Sequence, residues 1–316
     1  MKKLKIYEIK NKAREYLGKT KRALGTAMVG AALGAVLFIG VPNAKNYSGE
    51  GQYIQRTKIS NAIAMPETEH RRLPCSYYDN VPPASAAESL EGIIASTGQV
   101  TGVPVFEYQG NQLSKTYFGT GTLLKGGYIL SAQHVTHVDE LIMEIIPGVF
   151  GPVQAEWKSQ ENTIKIGGVN GVGAVYSLEE VVGNKQLDYS ILRIKNCSPE
   201  IKKQGVLLGD SSKLKVGNIV YICGNGGNEG LDVRSGIISK LEIDVGDGWG
   251  LRFGFSPLII GGDSGGAAYT SRNSALEYVA LMQLRSGIFN YGVGITAILN
   301  HLRGARPDVY GDVTQK

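Results

Sequence analysis

The stretch GGDSGGAAY, at residues 261–269, places Ser264 among four glycines. Glycine adopts positive φ as readily as negative φ and lets another backbone approach closely. A turn of this kind can point successive backbone N–H groups at one spot, which is what an oxyanion needs. The stretch therefore predicts a tight turn that presents Ser264 as a nucleophile, although an ordinary glycine-rich loop has the same pattern.

Two other segments contain side chains that could activate a serine. In GTGTLLKGGYILSAQHV (119–135), two apolar strands around a Gly-Gly turn bring His134 to a strand end. In QLDYSILRIK (186–195), Asp188 begins an alternating strand, where its carboxylate could be held against an imidazole. Alone, His134 could be a core imidazole and Asp188 a turn-capping residue. Together with Ser264 they have the residue types needed for base-activated nucleophilic catalysis.

The composition favours a β-rich globular fold. Glycine makes up 43 of 316 residues, and charged residues make up 19%, below the usual quarter of a soluble chain. Short β-rich runs are separated by Gly, Asn and Asp, a spacing that indicates a sandwich or a barrel. These runs are VPVFEY, KTYFGTGTLL, GYILS, ELIMEII, NTIKI, YSILRIK, NIVYIC, LDVRSGIISKLEI, YVALMQL and YGVGITAI. TAILNHLRG (296–304) predicts a terminal helix, and the tail after Pro307 reads as loose.

The net charge of +5 comes from one end of the chain. Residues 1–22 contain nine Lys or Arg and two Glu, which leaves 24 basic and 26 acidic residues in the rest. A body with this balance argues against nucleic acid as a partner.

Residues 23–44 contain no charged side chain and are long enough to cross a bilayer as a helix of about 20 residues. The basic residues before them predict that the N-terminus stays cytoplasmic and that the chain after residue 44 is exported. We favour an uncleaved single-pass anchor. A secretory signal is the alternative, although Pro42 would lie at position −3 of a cut after Ala44. An ordinary buried helix also stays open.

The cysteines and histidines do not form a metal-binding pattern. Cys75, Cys197 and Cys223 lie far apart without CxxC spacing, and we expect Cys197 and Cys223 to be buried or inert thiols. His137 could pair with His134 on a metal, but we favour a solvated loop histidine. We expect no metal and no organic cofactor.

The three segments, in the order His, Asp, Ser, resemble the trypsin-like serine proteases, and most closely the HtrA-like bacterial branch. The resemblance covers residues 96–303. It is strengthened by GDSSKLKVGNIVYICGNGGNEGLDVRSGIISKL (209–241), which is similar to the HtrA-type stretch between Asp and Ser. The resemblance implies an all-β fold of two six-stranded antiparallel β-barrels with the triad in the cleft between them. A short C-terminal helix would follow, and the membrane or signal helix would precede them.

The resemblance also implies a role for each site residue. Ser264 would attack a peptide carbonyl, His134 would take and return the proton, and Asp188 would orient the imidazole. The backbone N–H groups of Gly262 and Ser264 would form the oxyanion hole. The substrate-binding residues would be Leu258, Gly261, Gln283, Arg285 and Gly287.

Substrate preference follows from the implied pocket. Leu258 stands where cleavage after Lys or Arg would require a carboxylate, so we expect a small or medium apolar P1 residue. Arg285 would favour an acidic P1 residue if its side chain turned inward.

The sequence departs from the HtrA pattern at one position beside the serine. HtrA-like enzymes commonly have Asn there, whereas this chain has Asp263, the residue that pairs with a freshly cut N-terminus in the digestive branch. Activation by cleavage before Ile93 is therefore an open question. Only 52 residues follow Ser264, from which we expect no C-terminal PDZ domain.

These observations divide the chain into five segments and lead to one functional expectation. The segments are a basic cytoplasmic stretch (1–22), an anchor or signal (23–44), a linker or arm ending in a short helix from ASAAESLEGIIA (45–95), a protease domain (96–303) and a tail (304–316). We expect an exported serine endopeptidase that acts on polypeptides in protein quality control or processing. The alternative is a catalytically silent or latent peptide-binding module. Homo-oligomer formation is left open.

Overall fold

The computed structural model describes residues 77–78, 86–146, 149–166, 173–244, 251–283 and 290–315. The apolar segment 23–44 and the 1–22 stretch lie outside these ranges, and their predicted roles stay predictions. In the part of the chain that is described, each helix is too short or too polar to cross a membrane.

The described residues form short helices and strands in the following order. The helices are α1 (Ala86–Ala95), α2 (Gln133–Thr136), α3 (Pro199–Lys203), α4 (Ile295–Ala305) and α5 (Pro307–Thr314). The strands are β1 (Thr97–Tyr108), β2 (Asn111–Ser114), β3 (Tyr117–Leu124), β4 (Tyr128–Ser131), β5 (Leu141–Ile146), β6 (Val149–Val153), β7 (Glu156–Ile166), β8 (Ala174–Asn184), β9 (Tyr189–Ile194), β10 (Leu207–Leu208), β11 (Ile219–Gly224), β12 (Asp232–Asp244), β13 (Leu251–Phe255), β14 (Ala267–Arg272), β15 (Ala275–Gln283) and β16 (Tyr291–Gly294).

The first half of the fold is a closed barrel. Its strands pair in the order β1-β3-β4-β9-β8-β7, and β7 pairs back to β1 to close the ring. All these pairings are antiparallel, and β2 adds a seventh strand at the outer end of β1. Burial alternates along β1, because successive side chains of a strand point to opposite faces.

The second half repeats this architecture. Strands β15, β14, β11, β12, β13 and β16 form the ring, and the β15–β16 pairing closes it. The ring pairings are antiparallel, while the two-residue β10 joins the outside of β15 in parallel. The predicted pair of six-stranded antiparallel barrels is therefore confirmed, and each barrel has one extra edge strand.

A shared core holds the barrels together. Tyr189 and Ile191 from β9 pack in the same buried cluster as Tyr269 from β14 and Tyr278 from β15. All residues of β15 after Ala275 are buried, because this strand faces both its own barrel and the shared core. The shared core therefore lies beside the end of β4 and the starts of β9 and β14, which are next to His134, Asp188 and Ser264 in the chain.

Two segments outside the barrels are more ordered than the sequence indicated. The tail after Pro307, which reads as loose, instead forms α5, because Val309 and Val313 share one helix face and are buried. The predicted terminal helix is confirmed as α4, and the apolar run before it is a strand only as far as Gly294. In the predicted arm, α1 forms within residues 84–95, and Tyr78 is fully buried in the core of the second barrel.

Candidate active site

His134 is held on a single helical turn directly after the first barrel's β4. The strand ends at Ser131, and the Ala132 carbonyl accepts hydrogen bonds from Val135 N and Thr136 N at 3.2 and 3.3 Å. This turn leaves the His134 side chain 36% exposed at the boundary between the barrels. An imidazole in this position is reachable by a substrate and still fixed by its backbone.

Asp188 binds both the ring and the backbone of His134. Its Oδ2 lies 2.8 Å from His134 Nδ1, and its Oδ1 accepts a hydrogen bond from His134 N at 3.0 Å. Asp188 is 1% exposed and adopts a positive φ of 50°. Because a carboxylate accepts from Nδ1–H, the other ring nitrogen, Nε2, is left as the proton acceptor.

Gln283 supports the loop that carries Asp188. Its Nε2 donates to the carbonyls of Leu187 and Asp188 at 2.7 and 3.1 Å, and its side chain is fully buried. Asn184 Oδ1 accepts a further hydrogen bond from Leu187 N at 2.8 Å. The side chain of Gln283, a residue expected to bind substrate, is thus engaged with the Asp188 loop, and its role toward substrate stays a prediction.

The Ser264 loop is clamped between the two barrels. The Ser264 carbonyl accepts from Thr120 N of β3 at 2.8 Å, and Gly265 N donates to the Met282 carbonyl of β15 at 2.9 Å. Gly265 has φ of +89°, and a Cβ at this position would lie 2.1 Å from the Thr120 carbonyl oxygen. Only glycine fits this conformation and this space. The GDSGG pattern therefore reflects a steric requirement of the fold.

The N–H of Gly262 is aimed by the peptide that precedes it. The Gly261 carbonyl accepts from Gly227 N at 2.7 Å, within the glycine-rich turn that follows β11. Because a trans peptide directs its N–H opposite to its carbonyl, the Gly262 N–H points away from that turn. Gly262 has φ of +100°, and a Cβ there would lie 2.3 Å from the Asn225 carbonyl oxygen.

The N–H of Ser264 is oriented in the same way. The Asp263 carbonyl accepts from Gly266 N at 2.8 Å, so the Ser264 N–H points in the opposite direction. Across the described residues, neither the Gly262 N–H nor the Ser264 N–H donates to a protein acceptor. Two oriented N–H groups beside a serine hydroxyl are the donors that an oxyanion hole requires.

Thr120 fixes the same loop through its side chain. Its Oγ1 donates to the Gly262 carbonyl at 2.7 Å and accepts from Asn225 N at 3.0 Å. Sequence reasoning missed Thr120, and it assigned Gln283 to substrate binding without its contact to the Asp188 loop. Each residue acts through partners about 95 or more positions away in the chain.

The serine loop and the turn that bears His134 both pack against β3 at Gly119. A Cβ on Gly119 would lie 2.8 Å from the Ser264 carbonyl oxygen and 2.7 Å from a methyl group of Val135, the neighbour of His134. Among the described residues, no hydrogen bond joins Ser264 Oγ to His134 Nε2. Such bonds are often long in unliganded sites and shorten when substrate binds. The fold thus brings all three predicted triad residues to one boundary.

An ion pair lies beside the imidazole of His134. Asp139 and Lys185 line one small cavity with His134 and form an ion pair of 2.8 Å. The hydrogen bond from Lys185 lowers the pKa of Asp139, and the same bond raises the pKa of Lys185. Burial raises the pKa of Tyr189, the neighbour of Asp188, to about 12, so this phenol is neutral at ordinary pH. With Asp139 engaged by Lys185, the carboxylate that hydrogen-bonds the imidazole is that of Asp188.

The other predicted residues are placed as follows. Leu258 is 62% exposed, and Gly261 is also exposed at the start of the serine loop. Arg285 and Gly287 lie outside the described residues. His137 stacks on Trp157 at 5.6 Å instead of pairing with His134, and no cluster of potential metal ligands is found in the described ranges.

Comparison with known proteins agrees with this geometry. A trypsin-like peptidase domain matches residues 119–276, which is half of the chain and contains His134, Asp188 and Ser264. Among curated protein sequences, none matches this chain.

The fold is similar to solved HtrA-type proteases. The protease AlgW with a tripeptide matches with a TM-score of 0.51 and 15% identity, over 70% of this chain and 64% of that structure. A serine-to-alanine variant of AlgW with a decapeptide matches with a TM-score of 0.53 and 14% identity, over 70% of this chain and 67% of that structure. The chain thus spans about two thirds of the length of these structures. On the matched domain, the chain belongs to the trypsin-like peptidase domain family.

Proposed function

We propose that this protein is a serine endopeptidase that hydrolyses peptide bonds through an acyl-enzyme, with His134, Asp188 and Ser264 as its triad. The observation that carries the proposal is the two-point contact of Asp188 with His134, at 2.8 and 3.0 Å. This contact holds the base in one orientation at the barrel boundary where Ser264 is presented.

The chemistry follows from these positions. Ser264 Oγ attacks the peptide carbonyl while His134 Nε2 takes its proton, and Asp188 stabilises the imidazolium that forms. The carbonyl oxygen, now negatively charged, accepts from the N–H groups of Gly262 and Ser264. When this tetrahedral intermediate collapses, the amine is expelled and receives the proton from His134 Nε2. The acyl group stays on Ser264 as an ester. Water then attacks this ester by the same steps in reverse, and releases the acid.

The proposed substrates are polypeptides. The AlgW structures with a tripeptide and a decapeptide support this choice, because the same barrels are present here. The exposed, apolar Leu258 six residues before Ser264 supports a preference for small or medium apolar P1 residues. A library of peptides with varied P1 residues tests this preference, and Leu258→Asp should shift cleavage toward Lys and Arg.

We also propose that the protease domain acts outside the cytoplasm, anchored by residues 23–44, in quality control or processing of exported proteins. The nine basic residues before the apolar segment support this orientation. Protease digestion of intact and lysed cells tests it, because the domain should be accessible from outside the cytoplasm. Appearance of a free, shortened chain would favour signal cleavage instead.

Labelling with a fluorophosphonate probe tests the chemistry independently of P1 preference. The full chain in detergent should be labelled and should hydrolyse casein, whereas folded Ser264→Ala should do neither. Absence of labelling in folded wild-type protein would instead favour the silent or latent peptide-binding module.

A further inference from the structure

A buried ion pair lies directly beneath the proposed oxyanion hole. Asp263, the residue before Ser264, is fully buried, and its carboxylate meets the guanidinium of Arg234 on β12. Arg234 Nη2 donates to Asp263 Oδ1 at 2.6 Å, and Nη1 donates to Oδ2 at 2.9 Å. Two parallel hydrogen bonds from a planar fork fix both the position and the rotation of the carboxylate.

Arg234 also braces the segment that leads into the serine loop. Its Nη1 donates to the Leu258 carbonyl, and its Nη2 lies 3.0 Å from Asp232 Oδ1. The Asp263 carboxylate in turn accepts from Ile260 N at 2.8 Å, while Asp263 N donates to the Ile260 carbonyl at 3.1 Å. One guanidinium therefore anchors both ends of the turn that contains Gly262.

The ion pair offsets the cost of burying the Asp263 carboxylate. A buried carboxylate without a positive partner is strongly unfavourable, so the loop could not keep Asp263 inside unless a cation met it. Burial acts to lower the pKa of Arg234, but the hydrogen bonds and charge of Asp263 outweigh it and raise the pKa. The guanidinium is thus charged at every pH at which a protease would work.

In the intact chain, Ile93 lies within helix α1, and the positive charge beside Asp263 comes from Arg234. The Ile93 side chain is 5% exposed within α1, where it packs in the core shared by the barrels. Its carbonyl accepts from Thr97 Oγ1 at 2.7 Å, which ties it to the start of β1. The partner of Asp263 is already present within the barrel.

We propose that Arg234 is a positioning residue which supplies the positive charge for Asp263 and so keeps the oxyanion hole assembled in the intact chain, without cleavage of the N-terminal segment. This inference rests on the proposed peptidase function. It implies that cleavage before Ile93 is not needed to activate the enzyme.

Two substitutions of Arg234 and one matched control test the inference. Arg234→Gln removes the charge, and Arg234→Lys keeps a charge but loses the planar fork. Arg272→Gln is the control, because Arg272 pairs with the buried carboxylate of Glu277 in the same barrel, away from the serine loop. Each variant is made in the full chain, checked by circular dichroism, and compared for its rate of fluorophosphonate labelling and its kcat and KM on a peptide.

We expect the intact wild-type chain to be labelled. Arg234→Gln should be labelled at least about 100-fold more slowly, a loss of the size caused by removing an oxyanion donor. On the peptide substrate, the loss should appear in kcat. Arg234→Lys should recover most of the rate at pH 8 and lose it above about pH 10, where a lysine becomes neutral. Wild-type protein should show no such alkaline fall, and Arg272→Gln should match wild type.

Two results would overturn the inference and leave the proposed function intact. The first is wild-type labelling that appears only after the N-terminal segment has been cleaved. The second is a folded Arg234→Gln protein that is labelled at the wild-type rate. If that variant fails to fold, the corresponding result is an Arg234→Lys protein whose labelling rate does not fall above about pH 10. Wild-type protein that is never labelled, cleaved or intact, would overturn the proposed function as well.

Discussion

Asp188 contacts His134 twice, through Oδ2 to Nδ1 at 2.8 Å and through Oδ1 to the backbone N at 3.0 Å. One carboxylate therefore fixes the ring and the helical turn that bears it. Because Asp188 is 1% exposed, water competes little for either bond. The orientation of the proposed base, His134, therefore depends strongly on Asp188.

Asp188→Asn tests that dependence. An amide in this position keeps the shape of the side chain but can donate to Nδ1, which leaves Nε2 protonated and unable to act as the base. We expect kcat to fall by about 10⁴-fold, the loss that the same change causes in a trypsin-like triad. Steady-state kinetics on a peptide substrate measure this loss, and an unfolding curve close to that of the wild type serves as the control. A fall of less than tenfold would contradict the assigned role.

Gln283→Met tests the support beneath Asp188. Methionine fills a similar volume but has no donor, so the carbonyls of Leu187 and Asp188 lose the hydrogen bonds that Gln283 donates. We expect about 1–3 kcal/mol lower unfolding free energy, the cost of leaving a buried polar group unpaired. Urea unfolding measures this cost. A kcat that falls while KM stays constant would show that the triad, not substrate binding, is affected.

The parts of the site that the sequence predicts are those with local steric or chemical signatures. Gly262 and Gly265 must be glycine because of positive φ and short contacts, and this requirement is visible as the pattern around Ser264. Neither the ion pair of Arg234 with Asp263 nor the contact of Gln283 with the Asp188 loop has such a signature. An Arg or Gln in a strand is ordinary, and only the folded barrels bring Arg234 to Asp263 and Gln283 to the loop of the other barrel.

The same distinction applies to the fold. Strand β8 was missed because its sequence, AVYSLEEVVGN, buries Leu178 alone completely and exposes its charged side chains. The sequence does not indicate helix α5, because an eight-residue helix that begins at a proline has a short pattern. Its two valines are recognised as core residues only once the helix packs against the barrels. The number of barrels came from the family resemblance, since periodicity alone indicates a sandwich as well as a barrel.

Neighbouring glycines provide a matched pair of variants at the oxyanion hole. Gly262→Ala would place a Cβ 2.3 Å from the Asn225 carbonyl oxygen at a φ of +100°, whereas a Cβ on Gly261 meets nothing within 4 Å. We expect Gly262→Ala to lower kcat/KM by about 100-fold or more, through loss of an oriented donor. Thermal unfolding should show a lower Tm for Gly262→Ala and an unchanged Tm for Gly261→Ala. Equal Tm values would contradict the steric argument.

The buried thiol gives a prediction about pH. Burial raises the pKa of Cys223 to about 11, so the folded protein holds this thiol in its neutral form. The thiolate is the reactive species. We expect iodoacetamide to leave Cys223 unmodified in native protein at pH 8 and to modify it after unfolding in urea. Since the folded-state pKa is raised, the stability that the neutral thiol contributes is present below its unfolded pKa. It is lost as the pH rises toward 11. Peptide mass spectrometry measures the modification, and rapid labelling of native protein at pH 8 would contradict the burial.

Tyr78 links the predicted arm to the second barrel. Its ring lies in the barrel core, and its hydroxyl donates to the Asp210 carbonyl at 2.9 Å and accepts from Asp210 N at 2.8 Å. We expect Tyr78→Ala to lower the unfolding free energy by about 3–5 kcal/mol, as for other buried aromatic side chains. Tyr77→Ala is the matched control, because its neighbouring ring is 38% exposed and should cost far less. Urea unfolding of both variants distinguishes them. If the two variants lost the same stability, the arm would not be part of the barrel core, and a protease domain beginning at residue 86 should then be as stable as one beginning at residue 77.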